Sequence, residues 1–502
     1  HLRFDPKLWR EMRPYPPLGS LYGAAVARDA GYDVQFYDSM LATGNDRWSM
    51  ALDRFRPDIV VLYEDNFNYL TKMCLGRMRD AALRMIEGAK RVGAQVVVCG
   101  SDASDNAAIY LDGGADYVIR GEGEGPLSSL LAYLEQRGTD PSGLRGISYV
   151  GADGAVVANP SMPNLRHLDE LPMPAWDLVN LRKYRRIWRL RDGRFSLNLV
   201  TTRGCPYHCN WCSKPIWGQQ YSTRSPESVV AELRHLVDAA GPDHIWFMDD
   251  IFGLKPNWVR RFADALRAEA IRVGFKCLTR PDLLKRPGEI EALADAGCET
   301  VWIGAESGSQ KVLDAMEKGT SIADIESMTR KLKAHGIKVG WFVQFGYPGE
   351  TFDDIRQTMA MLRRLVPDEV GISVSYPLPG TPFYERVRAQ LGEKRNWNDS
   401  DDLAMMFEGP FDTRFYRHLH RHVHRDLRWW RTLAGLRDGT VFRHGAYQAS
   451  RRMARFAIDT AVYPFSWAKL RLLQQLGRND AGALPVALDR SNAARPAEQE
   501  TD

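Results

Sequence analysis

Residues 202–212 read Thr-Arg-Gly-Cys-Pro-Tyr-His-Cys-Asn-Trp-Cys and space Cys205, Cys209 and Cys212 as Cys-x3-Cys-x2-Cys. They follow Leu197–Thr201, an apolar run typical of a buried strand. Three thiolates at this spacing can hold one face of a cubane [4Fe–4S] cluster, and such clusters usually take four cysteine ligands. Because no fourth cysteine lies nearby, we predict that one iron stays open for a substrate or cofactor.

A repeating strand and helix pattern surrounds this motif. Helical patterns such as Ser225–Ala239 and Pro256–Ala270 follow the predicted strands. Those strands are Leu197–Thr201, His244–Met248, Gly274–Leu278, Thr300–Gly304, Lys338–Phe345 and Glu369–Ser375. Six such units in residues 196–401 predict a partial (β/α)6 barrel of the TIM type, with its active site at the carboxyl ends of the strands. The three cysteines would stand at the mouth of that barrel.

The cysteines also allow a structural zinc site, or no shared site at all. Structural zinc takes four ligands, and His208 would be the fourth. Zinc knuckles do not usually open a β/α unit of a barrel, which favours the iron–sulfur cluster. Cys277 and Cys298 are expected to be small buried residues rather than ligands.

The N-terminal residues 1–143 show a second alternation of helices and strands. The predicted helices are Leu18–Ala30 and Lys72–Val92, and the predicted strands are Asp33–Tyr37, Asp58–Tyr63, Gln95–Cys99 and Asp116–Ile119. This order predicts an α/β fold of the doubly wound, Rossmann-like type. A strand usually expected before Pro16 is absent or lies upstream of His1. Ligands of such sheets bind outside the carboxyl ends of the strands.

Three further segments complete the predicted organisation. Residues 144–195 contain short strand-like runs and a proline-rich stretch, which indicate a linker. Residues 402–478 predict a helical C-terminal domain, and residues 479–502, rich in Ala, Pro and charge, predict a disordered tail. In the helical part His418, His420, His422 and His424 alternate, so only histidines four apart share a helix face. A solvated or substrate-facing helix is favoured there over a metal site.

Bulk composition excludes several classes of protein. The 502 residues include 44% hydrophobic and 26% charged residues, as in ordinary globular proteins. A net charge of +4 is too small to indicate nucleic-acid binding by itself. The sequence contains no long uncharged apolar run and no signal peptide, and its seven cysteines do not suit a disulfide scaffold. We therefore expect a cytoplasmic protein.

The cysteine motif resembles that of the radical SAM superfamily, whose members cleave S-adenosylmethionine (SAM). Residues 247–252, 304–309, 346–351 and 376–382 resemble strand-end segments of the same family in the same order. The resemblance implies that the cysteines hold the cluster and that SAM chelates its open iron. It further implies a set of SAM-binding residues: Asp249, Asp250, Arg280, Glu306, Ser307, Gly346, Pro348 and Gly349.

Each of these assignments has an alternative. Asp249 and Asp250, expected near the SAM amine, would otherwise cap helices. Glu306 and Ser307 are expected to reach the ribose, amino or carboxylate groups of SAM. Arg280 would pair with the SAM carboxylate in a bidentate manner or form a surface ion pair. Glycines 346 and 349, with Pro348, are expected to let the backbone approach adenine.

The N-terminal domain resembles the cobalamin-binding domain of B12-dependent radical SAM enzymes, on residues 16–22, 54–61 and 121–124. The Asp-x-His-x-x-Gly signature is missing, which implies cobalt without a protein histidine ligand. The resemblance places Gly100 and Ser101 at the nucleotide tail, Asn66 to Tyr69 at the corrin face, and Gly121, Glu122 and Glu124 at the closing turn. The alternatives are helix capping by the glutamates and a domain that has lost its corrin.

Together the two domains imply a C-methyltransferase that uses a [4Fe–4S] cluster, SAM and cobalamin. The alternatives are non-methylating oxidation or cyclisation with the same cofactors, as in the anaerobic cyclase of chlorophyll synthesis, and a non-catalytic corrin or Fe–S binding protein. A flavodoxin or ferredoxin is the implied electron donor, and no nucleic acid is expected. Basic and bulky apolar residues mix in residues 440–478. They suggest an apolar or lipid-like substrate and peripheral contact with the inner face of the membrane, or packing on the barrel mouth.

Overall fold

The computed structural model describes residues 10–44, 46–65, 67, 75–212, 216–391, 403–442 and 446–477. These residues form two α/β units in sequence, followed by a pair of long helices. The predicted fold class, a doubly wound unit followed by a partial barrel and a helical C-terminal region, is confirmed. No helix of the described residues is long and apolar enough to cross a bilayer.

The first unit is built around a five-stranded sheet. Its strands, in spatial order, are β1 (Ile59–Tyr63), β2 (Gln95–Cys99), β3 (Tyr117–Ile119), β4 (Ile147–Val150) and β5 (Val156–Ala158). Its helices are α1 (Leu18–Asp29), α2 (Asp46–Phe55), α3 (Leu75–Arg91), α4 (Ser101–Asp105), α5 (Ala107–Asp112) and α6 (Glu124–Glu135). The first three strands are parallel, whereas β4 and β5 add to the sheet antiparallel. The stretch predicted as a linker therefore begins with two strands of the first sheet.

One predicted strand is wrong. Residues 33–37 take no part in a sheet, and β1 lies at the edge of its sheet. A cavity of about 480 Å³ lies between them, lined by Val34 to Tyr37 on one side and Ile59 to Glu64 on the other. An extended segment becomes a strand only when a neighbour supplies its backbone hydrogen bonds. The described residues place no strand in this gap, so residues 33–37 remain unpaired.

The second unit is a curved sheet of six parallel strands with helices on its outside. All six predicted strands are found: β6 (Ser196–Leu199), β9 (His244–Phe247), β10 (Gly274–Thr279), β11 (Cys298–Glu306), β12 (Lys338–Phe345) and β13 (Glu369–Val374), side by side in this order. A short hairpin, β7 (Thr202–Arg203) and β8 (Ser222–Thr223), follows β6. The helices are α7 (Leu181–Asp192), α8 (Pro226–Ala240), α9 (Trp258–Ala268), α10 (Glu289–Asp295), α11 (Gln310–Ala315), α12 (Ile322–Ala334), α13 (Phe352–Leu365) and α14 (Pro382–Val387).

The two faces of this sheet differ because side chains alternate along each strand. The outer face packs on the helices with fully buried residues such as Ile245, Val301 and Trp341. The strand register places Asn198 beside Trp246, and Trp246 beside Lys276, on the inner face. The inner face therefore lines the interior of the half-barrel and carries polar residues that the outer face lacks.

Two helices, α15 (Thr413–Arg437) and α16 (Ala446–Leu476), form the C-terminal region and pack on each other. Their histidines are not all solvated as predicted: His418 and His422 are buried against Ser466 of α16. The spacing of four does place each pair on one face, since His420 and His424 approach each other to 3.1 Å between their Nε2 atoms. The burial of His418 and His422 depends on α16, a partner that the pattern of α15 alone does not reveal.

Candidate active site

The cysteine loop, residues 204–212, begins directly after β7. Gly204 has φ +76°, and a Cβ at this position would collide with the backbone oxygen of Gln220, so only glycine fits. Cys205, Cys209 and Cys212 are partly exposed, and none forms a disulfide. The loop therefore carries three thiols, and its backbone is constrained where it begins, at Gly204.

Asn210, between the second and third cysteines, fastens this loop to the sheet. Its backbone N–H donates to the Met316 carbonyl at 3.2 Å, and its side chain donates to the Ala315 carbonyl at 2.9 Å. The Tyr347 hydroxyl donates to the Asn210 side chain at 2.8 Å, and the Phe383 N–H donates to its carbonyl at 3.0 Å. Four separate contacts thus hold one residue of the loop. Sequence reasoning missed Asn210, although it lies inside the motif.

Arg280 supports the same loop by packing against the ring of Tyr207. Its guanidinium carbon lies 3.6 Å from the centre of the Tyr207 ring, and its Nε donates to Asp282 at 2.8 Å. The Tyr207 hydroxyl donates to the same carboxylate at 2.9 Å. Arg280 is only 5% exposed, so the alternative of a surface ion pair is wrong. The ion pair, in which Asp282 is partly exposed, orients Tyr207 between Cys205 and Cys209. A contact with the SAM carboxylate remains a prediction.

Glu306 ends β11 in a strained backbone conformation, with φ +54°. Its carboxylate accepts from Lys318 Nζ at 2.9 Å, and both side chains are buried. Burial lowers the pKa of Lys318, but the charges of Glu306 and Cys209 outweigh it and raise that pKa. The ammonium group also lies 5.8 Å from the Trp211 ring centre. Lys318, which sequence reasoning missed, therefore connects Glu306 to the cysteine loop.

Two predicted SAM residues make their contacts within the protein. Asp249 accepts from the Thr201 N–H at 2.6 Å, the Thr201 hydroxyl at 2.5 Å and the Thr202 N–H at 3.0 Å. Burial raises the pKa of Asp249 to about 7. It ties β6 to β9, so the helix-capping alternative is wrong for this residue. The Ser307 hydroxyl lies 3.2 Å from that of Thr358 on α13. Asp250, by contrast, is exposed.

Gly346 has a neighbour in the C-terminal helix α15 that the sequence did not predict. It has φ +80°, and a Cβ there would lie 3.1 Å from the Tyr416 ring of α15 and 3.2 Å from Met405. Its N–H donates to Glu350 at 2.6 Å. The glycine thus admits the C-terminal helix, and its predicted role of letting the backbone approach adenine stays a prediction. Gly349, at φ +78°, and the half-buried Pro348 lie in the same turn.

Four buried polar atoms on the inner face have no hydrogen-bond partner among the described residues: Asn198 Oδ1, Trp246 Nε1, Gln344 Oε1 and Ser375 Oγ. Buried polar atoms in native proteins almost always have a partner. A ligand rich in donors and acceptors in the half-barrel would satisfy them. The alternation in β12, Val-Gly-Trp-Phe-Val-Gln-Phe, contained the signal, because it sets polar Gln344 opposite the apolar outer face.

Arg203, two residues before Cys205, joins the two units. Its guanidinium forms ion pairs with Glu122 and, at 2.8 Å, with Glu124, and all three side chains are buried. Burial lowers the pKa of Arg203, but the two carboxylates outweigh it and hold that pKa well above its usual value. The glutamates of the turn after β3 therefore bind the arginine beside the cysteine loop. The sequence did not predict this contact, and the expectation that Glu122 closes the corrin pocket stays a prediction.

The predicted cobalamin residues that the structure describes lie at the carboxyl ends of β2 and β3. Gly100 borders the 480 Å³ cavity, a volume in the range of about 300–1,000 Å³ typical of ligand pockets. The Ser101 N–H donates to Glu64 at 3.0 Å, and the Gly121 N–H donates to Ser104 at 3.0 Å. Gly100 and Gly121 thus lie at the carboxyl edge of the sheet, where the sequence predicts the cobalamin. Asn66 and Tyr69 lie outside the described residues.

The donor geometry favours a cluster over a single metal ion. In the part of the chain that the structure describes, no three His, Cys, Asp or Glu side chains converge as ligands of one ion. Structural zinc requires four donors at about 2.0–2.3 Å from one point, which disfavours a site with His208. In a cubane each cysteine binds its own iron, so the thiols need not converge. The lack of convergence therefore does not count against a cluster at the three cysteines.

Family models match both units. The model described as "Radical SAM superfamily" matches residues 199–362, and the model described as "B12 binding domain" matches residues 13–131. Together they cover more than half of the chain. The chain belongs to the radical SAM superfamily and carries a B12-binding domain. Its cofactors are therefore a [4Fe–4S] cluster, SAM and cobalamin, as the residues predicted.

Individual relatives agree with this family. An uncharacterized methyltransferase of Pyrococcus horikoshii is 28% identical over 391 residues, 76% of this chain and 81% of the relative. The hopanoid C-3 methylase of Methylococcus capsulatus is 29% identical over 384 residues, 75% of this chain and 69% of the relative. The solved structure of OxsB, a cobalamin-dependent SAM radical enzyme with aqua-cobalamin bound, shares the fold, with TM-score 0.68 and 18% identity over 93% of this chain and 74% of OxsB.

Proposed function

We propose that this radical SAM enzyme transfers a methyl group to an unactivated carbon of a small molecule. When bound, the reduced cluster supplies the electron that cleaves SAM to a 5′-deoxyadenosyl radical, and cobalamin carries the methyl group. The relatives above are named a methyltransferase and a methylase, which favours methylation over cyclisation or a non-catalytic role.

The observation that carries the proposal is the junction at Arg203. The residue pairs with Glu122 and Glu124 of the B12-binding unit and lies two positions before the first cluster ligand. Its guanidinium carbon also lies 5.2 Å from the Tyr22 ring centre of α1. A buried ion pair of this kind holds two units in one register. It brings the carboxyl ends of both sheets to one boundary, as a reaction that needs both cofactors requires.

The residues around the cysteine loop would hold the site rigid and dry. Asn210 and the stacked pair Arg280 and Tyr207 restrict the loop that presents Cys205, Cys209 and Cys212. Rigid support of this kind lets a site bind reactants without reorganising. Exclusion of water protects a radical from side reactions.

We assign SAM to the inner face near the cysteine loop. Glu306, with its charge balanced by Lys318, would accept hydrogen bonds from the SAM ribose or amine. Gln344 and Ser375 hold buried polar atoms without protein partners, which supports a polar ligand beside them. Asp250, Pro348 and Gly349 remain candidates for the amine and adenine. Ser307 and Asp249 would act through the backbone that they position.

The remaining partners are also proposals. A flavodoxin or ferredoxin would deliver electrons to the cluster. The substrate would be an apolar or lipid-like small molecule met at the inner face of the membrane. Basic and exposed apolar residues of the C-terminal helices support that idea, since such helices bind membrane surfaces.

Anaerobic reconstitution tests the proposal. Protein purified without oxygen should contain iron, sulfide and corrin, and should release 5′-deoxyadenosine from SAM with dithionite. Cys209→Ala should abolish release, whereas Cys298→Ala, which changes a buried cysteine far from the loop in sequence, should retain it. Protein without corrin, or without 5′-deoxyadenosine, would overturn the assignment. With candidate substrates, a mass gain of one methylene group separates methylation from cyclisation.

A further inference from the structure

The helix pair α15–α16 concentrates positive charge. The two helices contain twelve Arg or Lys residues and only two acids, Asp426 and Asp459. Both acids are buried in ion pairs, Asp426 with Arg363 at 2.7 Å and Asp459 with Arg428 at 2.9 Å. Since the whole chain has a net charge of only +4, the rest of it is net negative. The exposed surface of this helix pair is therefore basic in an otherwise acidic protein.

The outward side of α16 carries an apolar stripe that is interrupted at Arg451. Residues three or four positions apart share a helix face. We call the exposed apolar set at this spacing the outer stripe: Tyr447, Ala454, Ile458, Ala461, Phe465, Ala468 and Leu472. Its large side chains are strongly exposed, at 74% for Tyr447, 61% for Ile458, 77% for Phe465 and 54% for Leu472. The opposite side of the helix, with Ser466 and Leu470, is buried.

Basic side chains border the outer stripe. Arg451 occupies a position of the stripe between Tyr447 and Ala454. The other exposed basic residues lie beside the stripe: Arg452, Arg455, Lys469 and Arg471. A second copy of the chain docked here would bring these like charges together, which disfavours a dimer through this face. An anionic lipid surface accepts both features, because its headgroups attract the basic residues while its acyl boundary takes up the apolar side chains.

We propose that the outer stripe docks the protein onto an anionic lipid bilayer, with α16 parallel to the membrane plane. At 1.5 Å per residue, the stripe from Tyr447 to Leu472 is about 40 Å long. The helix then lies in the headgroup region and does not cross the bilayer. This surface gives a defined location to the membrane contact that we proposed above. It does not depend on methyl transfer, because binding requires neither substrate nor turnover.

Vesicle co-sedimentation tests the proposal with the intact holoenzyme. Binding is expected to vesicles of phosphatidylcholine with phosphatidylglycerol, to weaken with added salt, and to be far weaker with phosphatidylcholine alone. Ile458→Ser and Phe465→Ser should each lower the affinity at least tenfold, because each removes a large apolar side chain from the lipid boundary. Leu190→Ser, at an equally exposed leucine on α7, is the matched control and should bind like the parent.

Two results would overturn the proposal. The first is an absence of binding to the anionic vesicles, or binding that Phe465→Ser leaves unchanged. The second is a dimer, seen by analytical ultracentrifugation, that Phe465→Ser dissociates, because a second copy would then cover the stripe. Melting temperatures of the variants check that each is folded. Release of 5′-deoxyadenosine in the same preparations shows separately whether the proposed reaction stands.

Discussion

The two faces of the six-stranded sheet are made by the same strands yet have different roles. On the outer face Trp341 is fully buried, and its indole N–H donates to the Thr329 hydroxyl at 3.2 Å. On the inner face Asn198, Gln344 and Ser375 each keep a buried polar atom that has no partner in the described part of the chain. Unpartnered buried polar atoms cost stability. The outer face therefore stabilises the fold, while the inner face gives up stability to keep its polar groups ready for a ligand.

The largest expected effect tests the outer face. Trp341→Ala should lower the free energy of unfolding by about 3–5 kcal/mol, because it leaves a cavity in a closely packed core. Release of 5′-deoxyadenosine per folded molecule should stay near that of the parent. The matched control is Phe342→Ala, the next residue on the inner face, which is 37% exposed and should cost less. Equal losses from the two, by chemical denaturation, would contradict the comparison.

The next effect concerns the mouth of the sheet, at Arg203. Arg203→Met should cost about 3–5 kcal/mol, since it leaves Glu122 and Glu124 buried and unpaired. The triple variant Arg203→Met, Glu122→Gln, Glu124→Gln should recover much of that loss. Corrin content and 5′-deoxyadenosine release report whether the junction also aligns the two units. A triple variant no more stable than the single one would argue against the ion pair as the cause.

A smaller effect appears as a pH dependence. Burial raises the pKa of Asp249 to about 7 from an ordinary value near 3.8. The folded state therefore favours the protonated acid, and its contribution to stability is present below about pH 4 and lost as the pH rises through 7. From pH 6 to 8 the loss should be about 1 kcal/mol. Asp249→Asn should lack this loss in denaturation curves at the two pH values. An identical slope in both proteins would exclude Asp249 as its source.

The smallest effect on stability is expected on the inner face. Gln344→Met removes a buried amide whose oxygen has no partner among the described residues, so stability should stay within about 1 kcal/mol of the parent or rise. SAM binding and 5′-deoxyadenosine release should fall. Thr329→Val is the control on the outer face: it removes the partner of the Trp341 N–H and should cost about 1 kcal/mol without lowering release. Unchanged SAM binding by Gln344→Met would remove Gln344 from the proposed site.

Much of the fold and of the cofactor set could be predicted because it depends on local patterns. The six barrel strands and the three cysteines are read from alternation and spacing within a few residues. The strand predicted at residues 33–37 failed because a strand needs a neighbour, and local pattern does not report one. Asn210, Lys318 and Arg203 were missed for a related reason. Their roles depend on partners such as Ala315, 105 positions from Asn210, that only folding brings close.

By itself, the sequence determined the class of chemistry: the spacing of Cys205, Cys209 and Cys212 after a strand specifies a cluster with an open iron. Tertiary structure alone decided how that chemistry is supported. It set Glu122 and Glu124 against Arg203 and turned Gly346 toward Tyr416. It also left the side-chain oxygen of Gln344 without a partner among the residues that the structure describes. The physical reason is the separation along the chain over which each kind of interaction acts. Ligand spacing and strand alternation act over a few residues, whereas ion pairs and burial depend on segments far apart in the chain.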